Sequence, residues 1–139
     1  MAISQAMATS FKSEILDEQH DLVADTLKIA LYTSSASLGA TTTAYSATNE
    51  VANGNGYATG GVTLANKAVS TSGTTAYFDA DDPTWTSASF TANGALIYNS
   101  TNGDKAIAIL AFGGDFTVSS GTFRIVFPAA GANAIVTIA

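Results

Sequence analysis

The chain has no cysteine, and only five of its 139 residues are lysine or arginine. The absence of cysteine excludes disulfide bonds, thiolate metal sites and thiol nucleophiles. Because phosphate binding needs clustered cations and the formal net charge is −6, we expect no nucleic-acid partner. Stability must therefore come from packing or from association with other subunits.

Charged residues of both signs are scarce, at 12% of the sequence against about 25% in an average globular protein. Hydrophobic residues make up 47%, so much of the surface must consist of neutral Ser, Thr, Ala, Asn and Gly. Such a surface loses little free energy when another protein covers it, because ionised groups carry the largest desolvation penalty. The composition favours a protein that assembles with others.

The sequence also lacks an apolar run long enough to span a membrane, and residues 1–10 lack the basic and apolar regions of a signal peptide. We therefore expect a protein that is made in the cytoplasm and has no membrane partner. The length is typical of one domain, so residues 1–139 are predicted to form a single domain, with an N-terminal arm at 1–10.

A change of apolar period separates the start of the chain from the rest. Met7, Phe11 and Ile15 recur every four residues, which predicts a short helix at 9–19. From Thr26 the period falls to two, which predicts a strand that continues to Tyr32.

The stretch 34–61 has no period and is rich in Ser, Thr, Ala, Asn and Gly, so we predict a long loop that either is functional or contains a short helix, for which 44–51 is the favoured place. Beyond it, short strands separated by turn residues are typical of a sandwich or a barrel. They are predicted at 62–70, 74–79, 88–91, 95–99, 106–112, 116–119, 122–127 and 134–138. The strand at 106–112 is apolar on both faces, so it needs cover from the opposing sheet and from the helix or another subunit.

Turn residues separate several of these strands. Asn102 and Gly103 form a strong signal for a tight turn, and Ser120 with Gly121 forms a weaker one.

His20 is the single histidine and follows the predicted helix. Catalysis would require an orienting partner and a nucleophile, and a zinc site would require three or four ligands. We therefore expect His20 to be a residue at the end of the helix, where the helix dipole favours it.

Asp79, Asp81 and Asp82 form the densest carboxylate cluster, and their oxygen-rich spacing raises the question of a calcium site. An EF-hand loop needs a Gly at its sixth position and a Glu at its twelfth, whereas Pro83 and Trp85 follow here. The cluster therefore predicts an acidic turn.

Four glycines, Gly54, Gly56, Gly60 and Gly61, superficially suggest a phosphate-binding loop. No strand precedes them, no Lys-Ser or Lys-Thr follows them, and the next residues predict a strand instead of a helix. A flexible loop or a tight connection between strands is the better interpretation.

The triplet Asn99, Ser100 and Thr101 matches the glycosylation sequon, which has no consequence without a secretion signal. No serine lies in a G-x-S-x-G elbow. The sequence shows no nucleophile paired with a general base and no cofactor motif. We therefore predict no catalytic, cofactor-binding or metal-binding residues, and we expect that the protein is not an enzyme.

Short sequence blocks follow one another in order along nearly the whole chain. They are FKSEI at 11–15, HDL at 20–22, DTLKIALYT at 25–33, TNEV at 48–51, GY at 56–57, GGVTL at 60–64, DPTW at 82–85, FTANGA at 90–95 and IY at 97–98. Each block alone has little specificity, but in this order they resemble a family of small virion structural proteins of tailed bacteriophages. Some members of that family resemble capsid decoration, or cement, proteins.

The resemblance implies a two-sheet β-sandwich, specifically a jelly roll, on the outer surface of the head, where it bridges neighbouring major capsid protein subunits. Negative charge also favours a position away from the packaged DNA. We expect self-association, as a homodimer or a trimer, and expect the segments 1–10 and 34–61 to be mobile and to contact the capsid.

Two alternatives remain open. A tail or head–tail connector protein of the virion would have the same fold and composition. A glycan-binding module would use Trp85, Tyr57 and Tyr98 to stack on sugar rings, although a buried Trp is the commoner case.

Overall fold

The computed structural model describes residues 2–131 and 133–138, with 48% of the chain in strands and 6% in helix. Two antiparallel sheets and one short helix make up the fold, which confirms the prediction of an all-β, two-sheet architecture with an N-terminal helix. The elements are β1 Ala6–Met7, α1 Thr9–Leu16, β2 Leu27–Tyr32, β3 Val62–Thr63, β4 Ala68–Ser72, β5 Thr75–Asp79, β6 Thr84–Asn99, β7 Lys105–Arg124 and β8 Val136–Ile138.

The larger sheet has the strand order β1-β7-β6-β2-β3, and the smaller sheet has the order β4-β5-β8. A jelly roll consists of two Greek keys in a double sheet. Here the sequence neighbours β6 and β7 form one hairpin and β4 and β5 form another, each within a single sheet. The jelly-roll prediction is therefore not confirmed.

Two long strands replace the short ones that the sequence predicted between residues 88 and 127. Strand β6 pairs with β7 from Asn99 opposite Lys105 to Thr84 opposite Arg124, and its register shifts at several points. Gly113 and Ser120 adopt positive φ angles of 80° and 48° within β7. The Gly and Ser residues that indicated turns are therefore part of irregular, bulged strand.

The turn predicted at Asn102 and Gly103 is confirmed, because it joins β6 to β7. The helix is shorter than predicted and ends at Leu16 instead of residue 19. Glu18, with a φ of 59°, has a left-handed backbone that cannot continue an α-helix.

The hydrophobic core is centred on β2 and on the halves of β6 and β7 next to their turn. Ile29, Leu96 and Ile107 are almost completely buried there. Residues 106–109 are buried on both faces, and α1 packs against β7 through the buried Phe11. At residues 106–109, β7 is therefore covered by the chain itself and does not need a second subunit to bury it.

The arm and the long loop both have fixed partners, contrary to the expectation of mobile segments. Ile3 forms a parallel bridge with Leu38, and β1 pairs with β7. The helix predicted at 44–51 is wrong, because Glu50 instead bridges to Tyr32 in an extended backbone. Residues 1, 132 and 139 lie outside the described part of the chain.

Within the described residues, no helix is long and apolar enough to cross a membrane.

Candidate functional site

His20 lies four residues beyond the end of α1, with its side chain fully buried in a hydrogen-bonded cluster. The Oδ1 atom of Asn99 accepts the backbone N–H groups of Thr101 and Asn102, so its Nδ2 must point the other way. Nδ2 lies 3.0 Å from Nδ1 of His20, which must accept, and Nε2 of the ring then donates to Oε1 of Glu14 at 3.0 Å. Both ring nitrogens are therefore used inside the chain.

This cluster fixes the connection between α1 and β2. Asp25 accepts a hydrogen bond of 2.7 Å from Nδ2 of Asn99, and this bond holds the pKa of Asp25 below its ordinary value of 3.8. Lys67 donates to the backbone carbonyl of Asp25, and Asn102 donates to that of Gln19. The prediction of a helix-end histidine favoured by the dipole is wrong, because His20 has a buried structural role instead.

A second, partly buried cluster surrounds Glu50, which the sequence analysis did not single out. Its carboxylate accepts hydrogen bonds from the phenols of Tyr45, at 2.6 Å, and Tyr57, at 2.5 Å. It also accepts the backbone N–H of Gly60 at 2.7 Å. One signal was available: Glu50 is the single charged residue between Lys28 and Lys67.

The tyrosines around Glu50 are held in their neutral form. Burial, followed by the hydrogen bond to Glu50, raises the pKa of both Tyr57 and Tyr45 far above the ordinary value of 10. Burial, followed by the charge of Glu50, also raises the pKa of Tyr32 strongly. The pKa of Tyr98 is raised to about 12 by burial and by the charges of Asp104 and Glu50. The cluster anchors the long loop to the larger sheet.

The glycine-rich stretch is a tight connection against β2, as one of its two interpretations predicted. A Cβ atom added at Gly61 would lie 1.8 Å from the carbonyl oxygen of Ile29. The carbonyl of Gly60 accepts a 2.6 Å hydrogen bond from Tyr98, and its N–H is bound to Glu50. These backbone groups are engaged within the chain and do not form a cradle for an anion.

The three aspartates that suggested a cation do not converge. Asp82 binds Arg124 at 2.8 Å and the N–H of Phe127 at 2.9 Å, whereas Asp81 accepts from Asn66 at 2.5 Å. The Phe127 bond, together with Arg124, lowers the pKa of Asp82. In the described ranges, no three histidine, cysteine, aspartate or glutamate side chains are grouped to hold a metal ion.

Residues proposed for sugar contact are inaccessible. Trp85, Tyr57 and Tyr98 are each only 3% exposed, and the Trp85 ring packs against Tyr57 and Phe123. The alternative interpretation, that Trp85 is buried, is confirmed. These three rings therefore form no platform for a glycan. Asn99 of the sequon is completely buried as well.

The first exposed apolar surface is a groove between α1 and the smaller sheet, with a volume of about 540 Å³. We call it the apolar groove. Its larger aliphatic and phenylalanine lining residues are Ile15, Leu22, Val69, Phe78, Val136 and Ile138. Val69 and Ile138 are 54% and 55% exposed, so these aliphatic side chains face solvent. Exposed apolar surface of this kind is typical of contact sites.

The second exposed apolar surface lies on β7 and the residues that follow it, around a depression of about 450 Å³. We call it the hairpin patch. Its apolar lining consists of Phe112, Phe116, Val118, Phe123, Ile125 and Val126. Phe116 is 54% exposed and Val126 is 72% exposed. The ring of Phe112 contacts those of Phe116 and Phe123, each at a centroid distance of 6.1 Å, which holds the patch in shape.

The outer edge of β7 is open beside this patch. On the side away from β6, β1 pairs with β7 at Ala108 and Ile109. Within residues 2–131 and 133–138, no strand pairs with that edge from Phe112 to Arg124. Its backbone groups can therefore accept a further strand.

Comparison with protein-family models, curated proteins and solved structures finds no significant match to this chain.

Proposed function

We propose that the chain is a bacteriophage capsid decoration protein, which binds the outer surface of the head and stabilises it by bridging major capsid protein subunits. The observation that carries the proposal is that the polar clusters have structural roles, whereas exposed apolar side chains form two separate surfaces. The buried clusters around His20 and Glu50 hold loops in place, whereas the large exposed side chains include the aliphatic and aromatic members of two contact surfaces.

A bridging protein needs two separate surfaces. The apolar groove is formed by α1, the residues after it and the smaller sheet, and the hairpin patch is formed by β7 and the residues after it. The two surfaces share no residue, so one subunit can contact two neighbours at once. A head filled with DNA pushes its shell outward, and added buried area across the seams opposes that pressure.

The charge of the contact surfaces supports the same function. Arg124 is the one charged residue that lines the hairpin patch, and it is already paired with Asp82. Covering this patch therefore strips water from few ionised groups, which keeps the desolvation penalty low. The net charge of −6 favours a position outside the head, away from nucleic acid.

Self-association has its own candidate surface at the open edge of β7. Residues 106–124 contain neither Lys nor Pro, which natural proteins commonly use to block an exposed edge. Two copies that pair antiparallel along this edge form a closed dimer with two-fold symmetry. The hairpin patch lies beside the same edge and is partly covered in such a dimer.

Mixing the purified chain with undecorated heads of the phage that encodes it tests this function. We expect binding that saturates at a fixed ratio to the major capsid protein, and heads that resist heat better once they are decorated. Phe116→Lys should weaken the binding, whereas Ser70→Lys, at an exposed position that lines neither contact surface, should not. Absence of binding to heads, together with assembly of the chain into rings or tubes, would instead indicate a tail or connector protein.

A further inference from the structure

The apolar groove combines an aliphatic lining with a strongly acidic mouth. Phe78 and Val136 are buried in its floor, and Val69 and Ile138 are exposed at its sides. Glu18 and Asp21 also line it, and none of its lining residues is Lys or Arg. The mouth therefore presents negative charge beside aliphatic side chains.

The negative charge comes from one short segment. Five of the 11 acidic residues of the chain lie within 14–25, and no Lys or Arg lies between Lys12 and Lys28. Lys67 and Lys105 bind the carbonyl of Asp25 and the side chain of Gln19 and offset part of this charge. Glu14 and Asp25 are engaged with His20 and Asn99, so the exposed Glu18 and Asp21 set the charge of the groove lining. Charges on a partner that approaches the mouth interact with this local excess.

The groove is formed before any partner arrives. Its wall at residues 18–22 is fixed by the buried His20 cluster, and Asp21 accepts the backbone N–H groups of Val23 and Ala24 at 3.1 and 3.0 Å. A preformed site avoids the entropy of ordering a loop on binding. Its aliphatic lining then contributes to affinity when a partner covers it.

We infer that the apolar groove binds a segment of another protein in which aliphatic side chains are flanked by Lys or Arg. The aliphatic side chains enter the groove and cover Val69 and Ile138, while the basic residues face Glu18 and Asp21 at its mouth. A second copy of the chain is a poor occupant, because each copy has a net charge of −6 and only five basic residues. The inference does not depend on the position of the chain in a virion.

A displayed library of 12-residue peptides, with aliphatic centres and flanks that vary among Lys, Arg, Glu and Ser, tests the inference on the full chain. We expect selected peptides to be enriched in Lys and Arg at the flanks. Their affinity, measured by fluorescence anisotropy, should fall at least tenfold in Val69→Lys. Ser70→Lys adds the same charge on the next residue of β4, outside the groove lining, and should keep the affinity within about twofold.

A charge reversal at Glu18 distinguishes recognition by the acidic residues of the groove from nonspecific apolar binding. Glu18→Lys should shift the selected flanks toward Glu, and raising the salt concentration should weaken the Lys-flanked peptides because exposed charges are screened. Thermal unfolding of each variant checks that it is folded, and Ile138→Lys replaces Val69→Lys if the latter unfolds. Selection without basic enrichment, or binding that is unaffected in folded groove variants, overturns the inference.

Heads distinguish this inference from the proposed function. Binding to heads that is unchanged in Val69→Lys, with peptides that select no basic flanks, refutes the groove and its part in bridging, and leaves binding to heads through the hairpin patch intact. Peptide binding that depends on the groove, without any binding to heads, supports the groove inference and refutes the decoration function.

Discussion

The phenol of Tyr57 donates a hydrogen bond of 2.5 Å to Oε2 of Glu50, within a loop that is otherwise free of charge. The same phenol oxygen accepts the backbone N–H of Leu31 in β2 at 2.9 Å. The backbone of Glu50 already bridges to Tyr32 at the end of β2, and its side chain thereby adds a second link to the larger sheet through Tyr57. This relay anchors the middle of the long loop.

Replacing Glu50 by Gln should destabilise the protein by about 1–3 kcal/mol, because a charged acceptor of three hydrogen bonds becomes a neutral amide of the same shape. Urea unfolding followed by circular dichroism measures this change. Glu18→Gln, at an exposed position, is the control and should change the free energy of unfolding by less than about 0.5 kcal/mol. Equal effects of the two substitutions would contradict the anchoring role.

Alkaline pH should destabilise the protein from about pH 10 upward. The pKa of Tyr98 is raised from 10 to about 12 in the folded chain, and those of Tyr32, Tyr45 and Tyr57 are raised as well. The unfolded chain therefore loses these protons first, so the stabilisation is complete below pH 10 and is lost as the pH rises through the folded-state values. Linkage limits the contribution of one tyrosine to about 1.4 kcal/mol per pH unit, and the more exposed Tyr45 contributes less because solvent screens its interactions.

Urea unfolding between pH 9 and pH 12 measures this loss. Tyr98→Phe removes one titrating phenol and should reduce the slope of stability against pH above pH 10. A free energy of unfolding that stays constant from pH 9 to pH 12 would show that the phenols titrate normally.

The strands with a strict apolar period were predictable from local sequence. Strand β2 was predicted to end at Tyr32 and does so, although both of its faces are buried and only Lys28 is partly exposed. Strands β6 and β7 were predicted as fragments, because residues such as Ser120 and Gly121 favour turns locally. Their long antiparallel pairing overrides that preference and absorbs the extra residues as bulges.

The buried clusters were beyond local sequence reasoning. His20 and Asn99 are 79 positions apart, and Glu50 meets Tyr57 only after the loop has folded back on itself. Hydrogen bonds of this kind depend on which strands become neighbours, and a single sequence does not specify that order. The exposed apolar surfaces were missed for the same reason, since Val69 and Ile138 have the composition of core residues.

Asn99 should be among the least replaceable polar residues. Its side chain donates to His20 and Asp25 and accepts two backbone N–H groups at the turn between β6 and β7. Asn99→Ala removes four hydrogen bonds of a completely buried side chain and leaves Nδ1 of the buried His20 without a partner, so we expect a loss of about 3 kcal/mol or more.

Asn93→Ala is the matched control, because Asn93 makes one exposed hydrogen bond, to Asp115. It should change the free energy of unfolding by less than about 1 kcal/mol. Chemical unfolding of both variants at pH 7 supplies the comparison. A loss in Asn99→Ala no larger than that in Asn93→Ala would mean that water replaces the buried bonds.

Alanine substitutions at two glycines with left-handed backbones distinguish the cost of backbone strain from that of a steric clash. Gly61 has a φ of 81° and Gly73 has a φ of 60°, so alanine is strained at both positions. Only at Gly61 would the new Cβ meet backbone, 1.8 Å from the carbonyl oxygen of Ile29, whereas nothing lies within 4 Å at Gly73. Gly73→Ala should therefore cost about 1–2 kcal/mol, and Gly61→Ala should cost considerably more or prevent folding. Thermal unfolding of the two variants measures the difference, and similar midpoints would show that β2 and the Gly61 connection are not in close contact.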